Sequence, residues 1–278
     1  MLKRLANAPF PLRVGAFLVG LALIWLPLAS VLIWSIQNSN TESIALMAWL
    51  LVAFVGGLIV WGRWLYGSHH ILRQYGLTVS QRQIRECIAG LVIGTLSVIL
   101  MAAIQSAFGW LVWVNPVSSL QLMRVGLEGL LVAIAVGIGE ELVFRGWLLD
   151  ELERDYSLMI SLWASSATFA VLHFIKPWSE VVRTFPQFPG LIVLGLLLVW
   201  TKRLHQGRLG AAVGLHGGLV WGYYLIQVGQ LVRYQQTAPE LWSGVDQNPL
   251  AGGLGLLMLG ALAGAMRWRL LRSRSISL

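Results

Sequence analysis

Two adjacent glutamates in an apolar stretch are the residues best placed to do chemistry. Glu140 and Glu141 lie in VGLEGLLVAIAVGIGEELVFRGWLLDELE, residues 125–153. An ionisable group inside a membrane helix costs about 2.5–3.5 kcal/mol on insertion scales, so such a residue indicates a functional site. Arg145 follows Glu141 by four residues and lies on the same helix face, where the two can form an ion pair. Glu140 points about 100° away from that pair, which leaves it free for chemistry.

Two histidines within apolar segments are candidate partners of Glu140. His173 ends the sequence SSATFAVLH, and His216 lies in VGLHGG. If the chain turns between residues 156 and 157, Glu140 and His173 are equally far from the turn, about 24 Å along the helix axes. His216 lies about 12 Å from the basic segment that precedes it. The sequence therefore predicts that the three side chains meet inside the membrane.

These residue types suit the hydrolysis of an amide bond. A glutamate beside apolar walls can act as a general base toward water, and a neighbouring imidazole can orient that water or share its proton. A second histidine can donate a hydrogen bond to the oxyanion that develops on the carbonyl group. We therefore expect Glu140, His173 and His216 to be catalytic, with Glu141 and Arg145 in support.

The composition indicates a polytopic membrane protein. Of the 278 residues, 57% are hydrophobic and 12% are charged. Apolar stretches of about 20 residues, which suffice to cross a bilayer, recur along the chain. The sequence thus predicts an all-α, polytopic transmembrane helix bundle of about eight spans. The predicted spans are 14–35, 43–62, 87–110, 125–153, 158–175, 188–201, 209–227 and 250–268.

The positive charges predict the orientation of the chain. With the N-terminus in the cytoplasm, sixteen of the twenty Lys and Arg residues fall on the cytoplasmic side. By the positive-inside rule both termini are then cytoplasmic, in the plasma (inner) membrane or an equivalent internal membrane. We expect the active site to open toward the cytoplasm. The net charge of +8 then reflects topology, so we expect no nucleic-acid partner. The expected partners are membrane lipid and a peptide or protein substrate, with lipidation of the substrate left open.

The chain divides into three predicted regions. They are three N-terminal spans with a basic cytoplasmic loop (1–124), a catalytic core (125–228), and an outer loop with the last span (229–278). Glycine pairs four residues apart, such as Gly210 with Gly214 and Gly260 with Gly264, predict close helix packing. Asn115-Pro116 predicts a turn.

Taken together, the motifs resemble those of the CPBP family of CAAX-processing and bacteriocin-processing intramembrane proteases. The matching positions, in order, are Glu140-Glu141-Leu-Val-Phe-Arg145-Gly, Phe169-Ala-Val-Leu-His173 and His216. The resemblance covers the core from the fourth to the seventh predicted span. It implies a glutamate-dependent endopeptidase without a cofactor, in which Glu140 and His173 activate water. His216 would contribute to the oxyanion hole, and the remaining motif residues would be supporting.

One position departs from the family pattern. The family often has Asn or Asp four residues after the third-motif histidine, whereas this chain has Val220. Loss of one oxyanion-hole donor lowers the rate by about 10²–10³ in other enzymes. Tyr223, about one turn further along the helix, is a candidate substitute.

Other functions stay open at this stage. The Val220 departure also fits a catalytically weak or silent family member that acts as a membrane scaffold or an immunity-type binding protein. A zinc-dependent protease could use Glu140, His173 and His216 as metal ligands, but the sequence lacks His-Glu-x-x-His and this alternative ranks lower. A proton-coupled transporter is disfavoured because the sequence shows no internal repeat.

Overall fold

The protein is an antiparallel helical bundle, seen in a computed structural model that describes residues 2–114, 118–235 and 237–275. The predicted turn at Asn115-Pro116 lies outside the described residues. The longer helices are α2 (Phe10–Ser35), α3 (Ser39–Tyr66), α5 (Gln81–Ala107), α6 (Ser119–Glu141), α8 (Leu158–Leu172), α10 (Phe188–Leu204), α11 (Gly210–Gln227) and α13 (Gly253–Ser275). The shorter helices are α1 (Leu2–Ala6), α4 (Ile71–Gln74), α7 (Leu149–Asp155), α9 (Trp178–Thr184) and α12 (Glu240–Ser243). A π-helical segment joins α6 to α7 (Leu142–Leu148), and 3₁₀ turns occur at Phe185–Gln187, Val245–Gln247 and Pro249–Ala251.

Six helices in the described part of the chain are long and apolar enough to cross a membrane. They are α2, α3, α5, the continuous run from α6 through α7, the run from α9 through α10, and α13. Helix α8 is apolar but has only 15 residues, and α11 has 18 residues but does not belong to the six. The predicted all-α membrane bundle is thus confirmed. The count of about eight spans and the side of the termini stay predictions.

Several helix boundaries differ from those predicted. Helix α5 begins at Gln81 because the Ser80 hydroxyl caps it by accepting a hydrogen bond from the Gln83 amide, so residues 81–86 are helical and not loop. Ser157 caps α8 in the same way, at the predicted hairpin turn. Helix α8 ends at Leu172, which puts the predicted site residue at 173 just beyond the helix.

Glycines bring α5 and α11 into backbone contact. A Cβ atom at Gly214 would overlap the carbonyl group of Cys87, and one at Gly218 would overlap that of Leu91. The prediction of close packing is therefore confirmed for this helix pair. It is wrong for Gly260 and Gly264, where a Cβ atom would meet no described atom within 4 Å, because that side of α13 faces outward.

A short antiparallel ribbon closes one end of the bundle. Strand β1 (Leu111–Trp113) pairs with β2 (Val232–Tyr234), with Leu111 opposite Tyr234. The ribbon links the segments that follow α5 and α11, and we call this the ribbon end. The ribbon was not predicted from the sequence, because strands of three residues are too short to show a period of two.

The opposite end, here called the charged end, carries α7 and the start of α11. There Arg13 of α2 donates to Glu151 (2.8 Å) and to Asp155 (3.1 Å), and Tyr66 donates to Glu151 (2.8 Å). Tyr75 also donates to Glu151 (3.3 Å). Burial raises the pKa of Tyr75, so its hydroxyl stays a donor at neutral pH. This network fastens the N-terminal helices to the core.

Candidate active site

Glu140 faces both predicted histidines. Its Oε2 atom lies 4.0 Å from Nε2 of His173 and 3.9 Å from Nε2 of His216. The Glu140 side chain is one-third exposed, yet Oε2 itself is buried and has no hydrogen-bond partner within the described residues. The three groups come from the end of α6, the residue after α8, and the middle of α11. Their predicted meeting is confirmed.

The hydrogen bonds of the two rings define their orientation. Nδ1 of His173 lies 2.7 Å from the carbonyl oxygen of Phe169, and Nδ1 of His216 lies 2.9 Å from Oε1 of Glu141. Both of these oxygens accept, so each Nδ1 must carry the proton and donate. In the neutral rings Nε2 is therefore the unprotonated atom, and in both cases it faces Glu140.

Glu141, the residue after Glu140, is fully buried. Its Oε1 accepts a hydrogen bond from Nη1 of Arg145 at 2.9 Å, which confirms the predicted ion pair. The same oxygen accepts from His216, so Glu141 holds an arginine and a histidine together. This second contact was not foreseen from the sequence, because it depends on how α6 and α11 pack.

Phe169 lies at the centre of the supporting residues. Its side chain is fully buried. The ring centroid is 4.5 Å from that of His173 and 6.0 Å from that of His216. The guanidinium carbon of Arg145 lies 4.3 Å from the same centroid, a cation–π contact. One aromatic ring thus contacts both histidines and the buried cation.

The helix that carries the glutamates changes its winding directly after them. Residues Leu142–Leu148, which include Arg145, form a π-helix, a geometry often found at functional sites. Lys202 of α10 donates to the carbonyl oxygen of Arg145 at 2.6 Å and to Asp150 at 2.5 Å. The lysine side chain is almost fully buried. The π segment and its lysine partner were not predicted, since composition alone does not distinguish π from α winding.

The carboxylate and the two histidines line a cavity of about 240 Å³. Its walls are mostly apolar and come from α5, α6, α8, α10, α11, α13 and the loop before α13. The polar groups in this lining are Glu140, His173, His216, Tyr223 and Asn248. Val220 also lines the cavity, so the departure from the family pattern lies inside the site.

The cavity extends from Glu140 toward the ribbon end. The lining residues of α6 are Val136 and Glu140, and those of α11 start at His216 and continue to Tyr223. In α6 the lining residue nearest the charged end is Glu140, and in α11 it is His216. The cavity therefore lies between Glu140 and the ribbon end, and its opening toward the cytoplasm stays a prediction.

The structure also bears on the zinc alternative. Among the described residues, no group of three or more His, Cys, Asp or Glu side chains is arranged to hold a metal ion. The two Nε2 atoms lie 3.9–4.0 Å from the glutamate oxygen. Two ligands at about 2.0–2.1 Å from one tetrahedral zinc would be closer together than that. The expectation of a cofactor-free site stays a prediction.

Comparison with known proteins supports the family resemblance. The family model described as "Type II CAAX prenyl endopeptidase Rce1-like" matches residues 123–222. That range contains all six predicted site residues, from Glu140 to His216. Comparisons with curated proteins and with solved structures gave no match. The segment that carries the site is thus similar to the Rce1-like endopeptidases, and this match supports the resemblance to the CPBP family of membrane proteases.

Proposed function

We propose that the protein is an intramembrane endopeptidase that hydrolyses a peptide bond with water activated by Glu140 and His173. One observation carries the proposal. A buried glutamate oxygen lies at nearly equal distance, 4.0 and 3.9 Å, from the Nε2 atoms of two oriented histidines, at the wall of an apolar cavity. These gaps are too long for direct hydrogen bonds. A water oxygen between Oε2 of Glu140 and either Nε2 atom can, however, lie about 2.8 Å from both atoms.

The reaction follows from these positions. The water oxygen attacks the carbonyl carbon of the substrate while its proton passes to Oε2 of Glu140. His173, whose Nδ1 proton is held by the Phe169 carbonyl, orients the water through Nε2. The carbon–nitrogen bond then breaks, and the proton passes from Glu140 to the departing amine. The products are a carboxylic acid and an amine, and the glutamate returns to its carboxylate form.

His216 is placed to stabilise the oxyanion. Because its Nδ1 proton is donated to Glu141, it can donate from Nε2 only when both ring nitrogens are protonated. In that state the Glu141 carboxylate, 2.9 Å from Nδ1, lies beside the positive charge of the ring. Arg145 and Phe169 keep Glu141 and the rings in place.

The substrate is a peptide segment presented from the membrane. The cavity walls are apolar, so apolar side chains next to the scissile bond suit the site. Membrane lipid and a peptide or protein are the proposed partners, with a lipidated substrate as one form. Competition between a lipidated peptide and its unmodified twin would decide between these forms.

We further propose about eight spans, with α8 and α11 as the two additional ones and both termini in the cytoplasm. The test is cysteine labelling in right-side-out vesicles, with Cys87 replaced by serine. Cysteines at Ser273, in the last turns of α13, and at Glu240, the first residue of α12, lie near opposite ends of the bundle. An impermeant maleimide should label Glu240→Cys but not Ser273→Cys; the reverse pattern would invert the topology.

The experiment for the proposed activity is cleavage of a diverse peptide library by the protein in liposomes. Glu140→Gln should abolish cleavage. Glu128→Gln is the matched control, because Glu128 lies on the same helix but is half-exposed and paired with Arg124. Cleavage should survive a chelator.

Other outcomes point to the alternatives. Loss of cleavage in chelator and recovery with zinc would favour the metalloprotease. Absence of cleavage by the wild-type protein, with a biological role that survives Glu140→Gln, would favour the silent binding protein.

A further inference from the structure

The cavity contains a hydrogen-bond donor that lies outside the family motifs. Asn248 belongs to the loop between α12 and α13 and lines the same cavity as Glu140 and the two histidines. It lies 32 residues beyond His216 and outside the matched range 123–222. Of the five polar residues in that lining, it is the carboxamide.

The orientation of the Asn248 amide follows from its hydrogen bond. Its Oδ1 accepts from the backbone amide of Leu250 at 3.0 Å. Only the oxygen of a carboxamide can accept a hydrogen bond from an N–H group, so Nδ2 is the other end of the side chain. Nδ2 has no hydrogen-bond partner within the described residues, so neither of its protons is engaged there.

The loop that carries Asn248 is fixed by backbone contacts. The backbone N–H of Asn248 donates to the carbonyl oxygen of Val245 at 3.0 Å, and the backbone carbonyl oxygen of Asn248 accepts from the Ala251 N–H at 2.9 Å. A Cβ atom at Gly190 of α10 would lie 3.1 Å from Cα of Leu250, so the loop packs directly on that helix. A donor held this way is preorganised, as an oxyanion-hole donor must be.

The depth of the loop matches that of His173. A Cβ atom at Gly195 would lie 2.9 Å from Cα of Ser166, so these residues of α10 and α8 are level. Gly190 lies about 7.5 Å from that level toward the ribbon end, and His173 about 10.5 Å in the same direction. The loop packed on Gly190 is therefore within about 3 Å of the depth of His173.

We propose that Asn248 supplies the oxyanion-hole donor that Val220, four residues after His216, does not provide. In this arrangement Nδ2 of Asn248 and Nε2 of His216 donate to the same developing oxyanion. The inference rests on the proposed peptidase activity. It makes Asn248 a catalytic residue contributed by the loop before the last helix.

The test separates donation from loop stability. Asn248→Asp keeps an oxygen that accepts from Leu250 but lacks the Nδ2 protons, whereas Asn248→Ala removes both. Gln247→Glu, at the exposed neighbouring position, controls for the added charge. We expect kcat of Asn248→Asp to fall about 100-fold, the range for one oxyanion donor, with KM and thermal stability unchanged. Gln247→Glu should match the wild type.

A second measurement uses a phosphinic peptide, which resembles the tetrahedral intermediate. The wild type should bind it more tightly than the parent peptide, and Asn248→Asp should lose about 100-fold of that preference. If the wild type cleaves peptide and Asn248→Asp retains its kcat, the inference falls while the proposed function stands. If the wild type neither cleaves nor prefers the phosphinic peptide, both fall.

Discussion

Glu140 and Glu141 should respond in opposite ways to the same substitution, although they are adjacent. Glu141 is fully buried and accepts hydrogen bonds from Arg145 and His216, both at 2.9 Å. Glu141→Ala leaves the fully buried Arg145 without its carboxylate. Among the described residues, that cation would keep one long hydrogen bond, 3.5 Å from Nη2 to the carbonyl oxygen of Gly195, and its contacts with the rings of Phe169 and Phe144. Breaking one side of a buried pair costs about 3–5 kcal/mol.

Glu140→Ala should cost little stability. Its side chain is one-third exposed, and the histidine nitrogens lie 3.9–4.0 Å away, beyond hydrogen-bond distance. Substitutions at such positions change the free energy of unfolding by about 0.5 kcal/mol or less. Activity should nevertheless drop by at least the 10²–10⁴ that a general base contributes. The first glutamate is thus expected to matter for rate and the second mainly for stability.

Reversible unfolding in mixed micelles, followed by the fluorescence of the 14 tryptophans, measures this difference. The double variant Glu141→Ala with Arg145→Met removes both charges and should lose less stability than the sum of the single variants. The reasoning would be refuted by a loss below about 1 kcal/mol for Glu141→Ala, or by an equal loss for Glu140→Ala.

Three further predictions concern the groups around the site. Gly214→Ala should destabilise the fold by about 1–3 kcal/mol because the new methyl group overlaps the Cys87 carbonyl. Gly260→Ala, where the space is open, should be neutral or stabilising. Equal effects of the two substitutions on the free energy of unfolding would contradict the close packing of α5 and α11. Arg13→Ala should cost about 3–5 kcal/mol, since it removes the shorter of the two ion pairs of the buried Glu151. The exposed-pair control is Arg124→Ala, and a similar small loss for both would count against a role in fastening α2. Phe169→Leu should lower kcat more than it lowers the melting temperature, because Leu fills the core but lacks the ring that contacts both histidines; full activity in a peptide assay would show that the ring is only packing.

Much of the site could be predicted from sequence because helical periodicity fixes local geometry. The spacing of Glu141 and Arg145 places them on one face, and their ion pair is present. The hairpin turn after α7 fixes the level of His173 against Glu140, and the two side chains are 4.0 Å apart. Apolar stretches predicted a membrane bundle, and six helices of the described chain satisfy the length and composition of a span.

Contacts between distant segments could not be read from the sequence in this way. The hydrogen bond from His216 to Glu141 joins residues 75 positions apart, and the buried pair of Arg13 with Glu151 joins residues 138 apart. The π segment after Glu141 accepts a hydrogen bond at the Arg145 carbonyl oxygen from Lys202, which lies 57 residues away in the sequence. Helix periodicity determines which residues share a face of one helix, but not which face of another helix packs against them.

The sequence by itself determined the membrane class, the proximity of Glu140 to His173 and the ion pair beside them, since each depends on residue type and on spacings within a turn or a hairpin. Only the tertiary structure decided that the cavity extends toward the ribbon end and that Asn248 joins its lining. Both depend on where α13 and its preceding loop pack against α10. That packing depends on the surfaces of whole helices, and no local sequence pattern encodes it. At Gly190, for example, the absence of a side chain lets the Leu250 backbone approach α10.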